Sequence, residues 1–312
     1  MSALLFPGQG SQIVGMGLEF FQKFKIVKNI FNQADENLGF SLSKIILEGP
    51  EDQLQLTKHA QPAILTVSYS IFKVLKEEFN FNFKEFKYFA GHSLGEYSAL
   101  VCSNSLKFND ALFLLFERGK AMQEAVPVGK GSMLAILGAP IEKIEEIIKK
   151  NKSEGICEIA NDNADGQVII SGDKESIDNF NLLIKKERIK SIPLKVSAPF
   201  HCSLMKKAAI KMEEKINNTI FENPAVEIIS NVTAQVEKNP ENIKKLLIQQ
   251  IYSTVQWRQS LIKIYNEGST NFVEIGPGKA LTGMVKRTIK NANCFSINSI
   301  IDIKNLQNEF KK

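Results

Sequence analysis

Short apolar runs bounded by glycine or proline alternate along the chain with longer amphipathic segments, and this alternation predicts an α/β fold. The clearest strands are residues 3–6 and 86–90, and each runs into a turn that contains glycine. The clearest helix covers residues 63–79, because its apolar residues recur every three or four positions on one face. Further predicted elements are helices at about 109–124 and 204–217, strands at 226–230 and 272–275, and two helices around Trp257.

The middle of the chain has an order of its own. Strands are predicted at 133–137, 156–160, 168–171 and 189–196, helices at 141–150 and 174–186, and a polar turn at 161–166. The resulting order, β-α-β-β-α-β, is that of a ferredoxin-like unit. We therefore predict a small ferredoxin-like (βαββαβ) domain at residues 128–196. It is inserted in a large α/β domain with a parallel sheet, formed by residues 1–127 and 197–312.

Composition and charge narrow the class of protein. With 44% hydrophobic and 23% charged residues, the 312-residue chain is expected to be globular. The longest apolar run, residues 111–116, is far shorter than the roughly 18 residues of a membrane helix, and no basic, apolar leader is present. A cytoplasmic protein that does not bind membranes is predicted.

The four cysteines are scattered, which indicates neither a disulfide framework nor a metal site. A net charge of +5 is too small to indicate nucleic-acid binding but suits an acidic partner.

The strongest local signal is Gly91-His92-Ser93-Leu94-Gly95, a G-x-S-x-G motif between a predicted strand and an amphipathic segment. On such a turn the glycines relieve crowding, and the serine hydroxyl is exposed above the helix N-terminus. Backbone N–H groups there can stabilise an oxyanion. The context favours a nucleophilic serine in an α/β-hydrolase-like domain, and a tight structural turn is the alternative.

A serine nucleophile needs a base, and the chain has three histidines. His92 is a poor partner, because consecutive side chains at a turn point apart. His59 precedes a predicted helix with nothing local to orient it. His201 follows a predicted strand in a loop, where catalytic residues often lie, and is favoured by elimination over a packing role.

Arginine is scarce, since only four of the 39 basic residues are arginines. Arg118 lies on a mostly apolar predicted helix. It is therefore a candidate for planar, two-pronged binding of an acid group, with a surface ion pair as the alternative.

Six segments of the chain can be compared with known families as a set. The segments are Phe6-Pro7-Gly8-Gln9-Gly10-Ser11-Gln12, Gly91-His92-Ser93-Leu94-Gly95-Glu96-Tyr97, Arg118-Gly119, Phe200-His201, Gln250-Ile251-Tyr252 with Val255-Gln256-Trp257, and Glu274-Ile275-Gly276-Pro277-Gly278. Together they resemble the malonyl-CoA:acyl carrier protein transacylases, the acyltransferases that load malonyl groups for fatty acid synthesis. They occur in the family's order and approximate spacing over nearly the whole chain.

This resemblance implies transfer of malonyl from malonyl-CoA to the phosphopantetheine thiol of acyl carrier protein, through a malonyl-serine intermediate. It implies Ser93 as nucleophile, His201 as base, and the backbone carbonyl of Gln250 as the group that orients His201. Arg118 would bind the malonyl carboxylate.

The resemblance extends to the surroundings of the nucleophile. It implies an oxyanion hole made by the backbone N–H groups of Gln9 and Leu94. Asn161 and Asn163 resemble a polar loop near the active site, although a turn role suits them equally, and Phe200 beside His201 resembles the malonyl-type pattern. Neither a metal nor a bound cofactor is expected, and the chain is predicted to be a monomer with acyl carrier protein as its transient, acidic partner.

Two other functions compete with this one. A serine esterase or thioesterase of the α/β-hydrolase type would need an acid between serine and histidine in chain order. The candidates Asp162, Asp165 and Asp173 all fall within the predicted inserted domain, and Arg118 would have no task. A non-catalytic module that binds a carrier protein would leave the combination of serine, histidine and arginine unexplained.

Overall fold

The computed structural model describes residues 1–151 and 154–310. Residues 152–153 of the predicted small domain and 311–312 of the predicted large domain lie outside the described residues. In chain order, the strands are β1 (Ser2–Phe6), β2 (Phe86–Gly91), β3 (Gly131–Leu137), β4 (Cys157–Ala164), β5 (Gln167–Asp173), β6 (Lys190–Pro193), β7 (Glu227–Ile229), β8 (Val236–Glu237), β9 (Asn271–Ile275) and β10 (Asn293–Ile297).

The helices lie between and after these strands. In chain order they are α1 (Leu18–Lys23), α2 (Lys25–Leu38), α3 (Leu42–Glu48), α4 (Glu51–Gln55), α5 (Thr57–Glu77), α6 (Gly95–Cys102), α7 (Phe108–Glu124), α8 (Ile141–Lys150), α9 (Lys174–Lys186), α10 (Lys206–Asn217), α11 (Pro240–Gln250), α12 (Trp257–Asn266), α13 (Ala280–Thr288) and α14 (Ile300–Phe310).

The larger sheet has the strand order β10-β9-β1-β2-β7-β8. Its neighbouring strands are parallel, except that β8 is antiparallel to β7. The whole of β1 is buried, and its apolar run is typical of a strand that is covered on both faces. Because parallel strands end at the same edge, the loops after β1, β2 and β7 meet there. The predicted serine turn lies at that edge.

The smaller sheet is antiparallel, with the order β4-β5-β3-β6, and its elements follow one another as β3-α8-β4-β5-α9-β6. One face of this sheet packs on α8 and α9, where Ile144 and Phe180 lie in an apolar cluster of its own. From the other face, Met133, Ala135 and Ile169 join the main core of the protein. The alternation of side chains along each strand thus covers both faces and fixes the small sheet against the rest of the fold.

Helix α5 differs from its prediction at its start. It begins at Thr57 and passes through Pro62, whereas the predicted helix starts only after this proline, at residue 63. A proline within a helix removes one backbone hydrogen bond. Most of α5 is buried, including Ile64, Val67 and Ile71, so tertiary packing outweighs this local cost.

The predicted turn at 161–166 is also mostly strand, because β4 continues to Ala164 and only residues 165–166 form a turn. Two register shifts in the pairing with β5 accommodate this polar stretch, and backbone hydrogen bonds connect it to Val255. The prediction that Asn161 and Asn163 are loop residues is therefore wrong, since both lie on β4.

Candidate active site

Ser93 occupies a sharp turn between β2 and α6 and has a left-handed backbone conformation, with φ of 53°. The flanking glycines are required by close backbone contacts. A Cβ atom on Gly91 would collide with the backbone of Gly95, and one on Gly95 would collide with the carbonyl of Phe6 at the end of β1. The turn is thus packed directly on the neighbouring strand, which holds the serine at the edge of the sheet.

The Ser93 hydroxyl and the His201 ring are in hydrogen-bond contact, with 2.8 Å between Oγ and Nε2. The other ring nitrogen, Nδ1, lies 2.8 Å from the backbone carbonyl oxygen of Gln250. Because a carbonyl oxygen only accepts, Nδ1 donates to it and Nε2 is left to accept the serine proton. The structure therefore brings together three residues with predicted roles, Ser93 as nucleophile, His201 as base and Gln250 as the source of the orienting carbonyl.

The charge state of His201 follows from its surroundings. The side chain is buried, and the cation of Arg118 lies close by. Burial, reinforced by that positive charge, lowers the pKa of His201 to about 3, although its bond to Gln250 acts in the opposite direction. The imidazole is consequently neutral near pH 7, which is the state a general base needs.

Arg118 on α7 is only 1% exposed, and neutral groups hold its guanidinium. Nη1 donates to Oε1 of Gln61 at 2.8 Å, and Nη2 donates to Oε1 of Gln250 at 2.8 Å and to Oγ of Ser93 at 3.2 Å. No carboxylate of residues 1–151 and 154–310 forms an ion pair with it, and Nε has no acceptor among them. A buried cation without a counter-ion, beside a nucleophile, is suited to binding an anionic part of a substrate.

Of the predicted oxyanion-hole residues, Gln9 lies in the loop after β1 and lines the cavity at Ser93, and Leu94 follows Ser93 in the turn. Neither backbone N–H donates to an acceptor within the part of the chain that the structure describes. Gly8 lets the β1 loop approach the turn, because a Cβ there would lie 2.6 Å from the carbonyl oxygen of His92. The N–H of Leu94 also lies at the N-terminus of α6, where the partial positive charge favours an oxyanion.

Residues without a predicted role stabilise this turn. Asn231 follows β7, and its Oδ1 accepts the backbone N–H of Ser93 at 2.7 Å while its Nδ2 donates to the carbonyl of Gly91 at 2.7 Å. Glu96 accepts from the backbone N–H of Asn231 and from the side-chain amide of Gln250. Gln61 holds Arg118 as described above. A signal for Asn231 existed in the sequence, since a polar residue directly after a strand of a parallel sheet lies at the edge that carries the site.

A cavity of about 690 Å³ opens above Ser93, His201 and Arg118. Asn161, Asn163 and Phe200 line it, so the structure brings all three predicted neighbours to the site. Oδ1 of Asn163 also accepts a 2.8 Å hydrogen bond from Nε2 of His92, and Nδ2 of Asn161 has no partner among the described residues. Lys195 also lines the cavity and is exposed to solvent, whereas Arg118 in the same lining is buried.

His59 lies apart from this site, in the buried part of α5. Its Nδ1 makes a 2.8 Å hydrogen bond with the backbone carbonyl of Gln53, so the expectation that nothing local orients it is wrong. Among residues 1–151 and 154–310, no cluster of histidine, cysteine and acidic side chains could hold a metal ion. None of the described helices has the length and apolar character that crossing a membrane requires.

Comparison with known proteins gives a single family. Residues 3–311 match the family model described as acyl transferase domain. The malonyl CoA-acyl carrier protein transacylase of Bacillus subtilis (strain 168) is 43% identical over 298 residues, which cover 95% of this chain and 92% of that protein.

Solved structures agree over the same length. The acyl-carrier-protein-S-malonyltransferase of Bartonella henselae superimposes with a TM-score of 0.96 at 39% identity and covers 100% of both chains. A malonyl-transacylase in complex with its type II PKS acyl-carrier protein superimposes with a TM-score of 0.94 at 38% identity, covering 98% of this chain and 99% of that one.

Proposed function

The chain belongs to the acyl transferase domain family, and we propose that it transfers malonyl from malonyl-CoA to acyl carrier protein through a malonyl-serine intermediate. The observation that carries this proposal is the buried guanidinium of Arg118, which forms no ion pair among the described residues and lies 3.2 Å from the Ser93 hydroxyl. A dicarboxylic acyl group would bring its free carboxylate to that cation and its thioester carbonyl to the serine.

In the first half-reaction, Oγ of Ser93 attacks the thioester carbonyl while Nε2 of His201 takes the hydroxyl proton. The backbone N–H groups of Gln9 and Leu94 stabilise the tetrahedral oxyanion. The C–S bond then breaks, and His201 returns the proton to the CoA sulfur. CoA leaves as a thiol, and malonyl remains as an ester on Ser93.

The second half-reaction repeats these steps in reverse. His201 takes the proton of the phosphopantetheine thiol of acyl carrier protein, and the thiolate attacks the malonyl ester. The C–O bond breaks, and Oγ of Ser93 recovers the proton. The sequence of events is a ping-pong mechanism, and it uses only side chains, backbone N–H groups and the two substrates.

The arrangement around His201 disfavours the alternative of a serine hydrolase with a carboxylate-oriented histidine. Nδ1 of His201 is bonded to a backbone carbonyl, and the candidate acids are engaged elsewhere. Asp162 pairs with Arg258, and Asp173 caps α9. An acyl group that carries an anion would also give the buried guanidinium of Arg118 an ionic partner.

The remaining parts of the proposal concern the whole molecule. The large sheet, with residues 1–127 and 197–312, is assigned to a hydrolase-like catalytic domain, and residues 128–196 to a ferredoxin-like insertion whose observed strand order supports the assignment. The protein is proposed to act as a cytoplasmic monomer, without a resident metal or cofactor and with acyl carrier protein as a transient partner.

Intact mass spectrometry after brief exposure to malonyl-CoA tests this function. We expect a mass increase of one malonyl group, located on Ser93 and absent from Ser93→Ala. Addition of phosphopantetheinylated acyl carrier protein should remove the adduct and load the carrier. An adduct that water discharges as fast as the carrier protein does would identify a hydrolase instead.

A further inference from the structure

One buried carboxyl group has no part in the transfer steps above. Glu96 lies in the first turn of α6 and is 3% exposed. Its Oε2 atom accepts two hydrogen bonds, from the backbone N–H of Asn231 at 3.1 Å and from Nε2 of Gln250 at 2.6 Å. Burial raises the pKa of Glu96 to about 7, so the site tolerates this group at an energetic cost.

The side chain of Gln250 links Glu96 to the cation of the site. Its Nε2 faces Oε2 of Glu96 and the backbone carbonyl of Ser93, at 2.6 and 3.1 Å, while its Oε1 faces Nη2 of Arg118 at 2.8 Å. A carboxylate only accepts and a guanidinium only donates. The amide can satisfy both neighbours in one orientation, with nitrogen towards Glu96 and oxygen towards Arg118.

The opposite orientation would place the amide N–H₂ group against the guanidinium. Arg118 would then lose one of the two amide oxygens that hold it, and the remaining contacts to Gln61 and Ser93 would leave the group free to tilt. The backbone carbonyl of Gln250, which orients His201, would not change. A substitution of Glu96 should therefore weaken binding of the acyl carboxylate at Arg118 more than it disturbs the serine–histidine pair.

We propose that Glu96 is a positioning residue for acyl selection, which fixes the Gln250 amide so that its oxygen holds Arg118 in place for the acyl carboxylate. This inference rests on the proposed function. Glu96 contacts neither substrate nor the reacting atoms. It acts on Arg118 through Gln250, and its second hydrogen bond, from the backbone N–H of Asn231, supports the serine turn.

Two substitutions of similar size separate this role from simple packing. Glu96→Met fills the space without an acceptor, and Glu96→Gln restores an oxygen that can accept from Gln250 and Asn231. For Glu96→Met we expect the KM for malonyl-CoA to rise about tenfold, on the scale of one lost charge-assisted hydrogen bond, with kcat changed less than about threefold. The kinetics with acetyl-CoA should change little, so the malonyl-to-acetyl preference falls about tenfold. Glu96→Gln should recover most of the malonyl-to-acetyl preference.

Asp173→Asn is the matched control, because Asp173 also accepts backbone N–H groups, but those of Ile156 and Ser176 rather than a group that touches Arg118. Asp173→Asn should lower the midpoint of thermal unfolding without changing the malonyl-to-acetyl preference. If Glu96→Met does not fold, Glu96→Ala replaces it with the same expected outcome. An equal loss with both thioesters, or no recovery in Glu96→Gln, would overturn the inference. Failure of the wild type to form a malonyl adduct would instead overturn the proposed function.

Discussion

Nη2 of Arg118 lies 3.2 Å from Oγ of Ser93, so the cation and the nucleophile are direct neighbours. In a malonyl thioester, one methylene group separates the carboxylate from the reacting carbonyl, and this short span suits the arrangement. The charge of Arg118 also opposes protonation of His201. A carboxylate bound to Arg118 would offset that charge, so the correct substrate would itself make His201 a stronger base.

Removal of the guanidinium tests the carboxylate site. We expect Arg118→Ala to reduce malonyl transfer by about 10²-fold or more, because the acyl carboxylate is left buried and unpaired. Arg118→Lys should recover part of the loss, since an ammonium cannot reproduce the planar pair of donors. Acetyl transfer should fall little or rise. Competition assays with both thioesters measure the ratio, with Arg287→Ala, an exposed arginine outside the cavity lining, as control. Equal losses for both acyl groups would make Arg118 a structural residue.

The serine–histidine pair should behave as one unit. Ser93→Ala and His201→Ala are each expected to lower turnover by orders of magnitude, and the double variant should be little worse than either one. Steady-state rates of the three variants provide the measurement, and parallel double-reciprocal plots for the wild type are expected from the ping-pong order. Additive losses in the double variant would show that the two side chains serve separate steps.

Acylation should not lose rate as pH falls through the usual pKa of histidine. Because the pKa of His201 is lowered to about 3, the ring stays neutral from pH 8 to about 5, whereas an ordinary histidine would be protonated below 6.5. The charged or titratable groups that act on it are Arg118 and His92. We expect kcat/KM for malonyl-pantetheine, a probe without phosphate groups, to stay level over this range.

This profile should be measured in Glu96→Gln, because Glu96 itself has a pKa of about 7 and would add its own inflection. The wild type serves as the comparison, and an inflection near 7 that is present only there belongs to Glu96. A decline in Glu96→Gln centred near pH 6.5 would contradict the lowered pKa of His201.

Gly8 should be needed for the oxyanion hole rather than for folding. In Gly8→Ala, the added Cβ would lie 2.6 Å from the carbonyl oxygen of His92 and push the Gln9 loop away from the serine turn. Loss of one oxyanion donor costs about 10²- to 10³-fold in kcat. Single-turnover acylation measures this effect. Gly283→Ala, where a Cβ would meet no atom within 4 Å, is the control and should keep its full rate. An unchanged rate in Gly8→Ala would remove Gln9 from the oxyanion hole.

Association with acyl carrier protein should be weak and sensitive to salt, and Lys195 is the lysine that the cavity lining indicates. We expect Lys195→Ala to raise the KM for acyl carrier protein several-fold at low salt and to flatten its dependence on ionic strength. Lys174→Ala, whose lysine pairs with Asp178 away from the cavity, should behave as the wild type. Transfer by the wild type that does not vary between low and high salt would contradict electrostatic steering.

Much of the site was predictable from local sequence. Gly91 is required by the turn itself, because a Cβ there would collide with the backbone of Gly95, and the scarcity of arginine drew attention to Arg118. The strands β1, β2 and β9 were recognisable because each is a short apolar run followed by glycine or proline. These features depend on nearest neighbours, which the sequence shows directly.

Contacts between distant segments were not predictable. Gln61 precedes Pro62, and a proline usually marks a helix boundary when only local sequence is considered. Helix α5 nevertheless continues through Pro62, because most of its residues are buried by tertiary packing. Asn161 and Asn163 have the composition of a turn, but pairing with β5 and Val255 holds them in a strand. The link from Glu96 to Gln250 joins residues that are 154 positions apart.

The central position of β1 has a consequence for synthesis on the ribosome. This strand pairs on one side with β2 and on the other with β9, which follows it by more than 260 residues. A nascent chain therefore keeps one edge of this fully buried strand open until β9 has been synthesised. We expect nascent chains arrested at residue 268, before β9, to be digested by protease and to bind chaperones. Nascent chains in which β10 and α14 have left the exit tunnel should resist protease and should not bind chaperones.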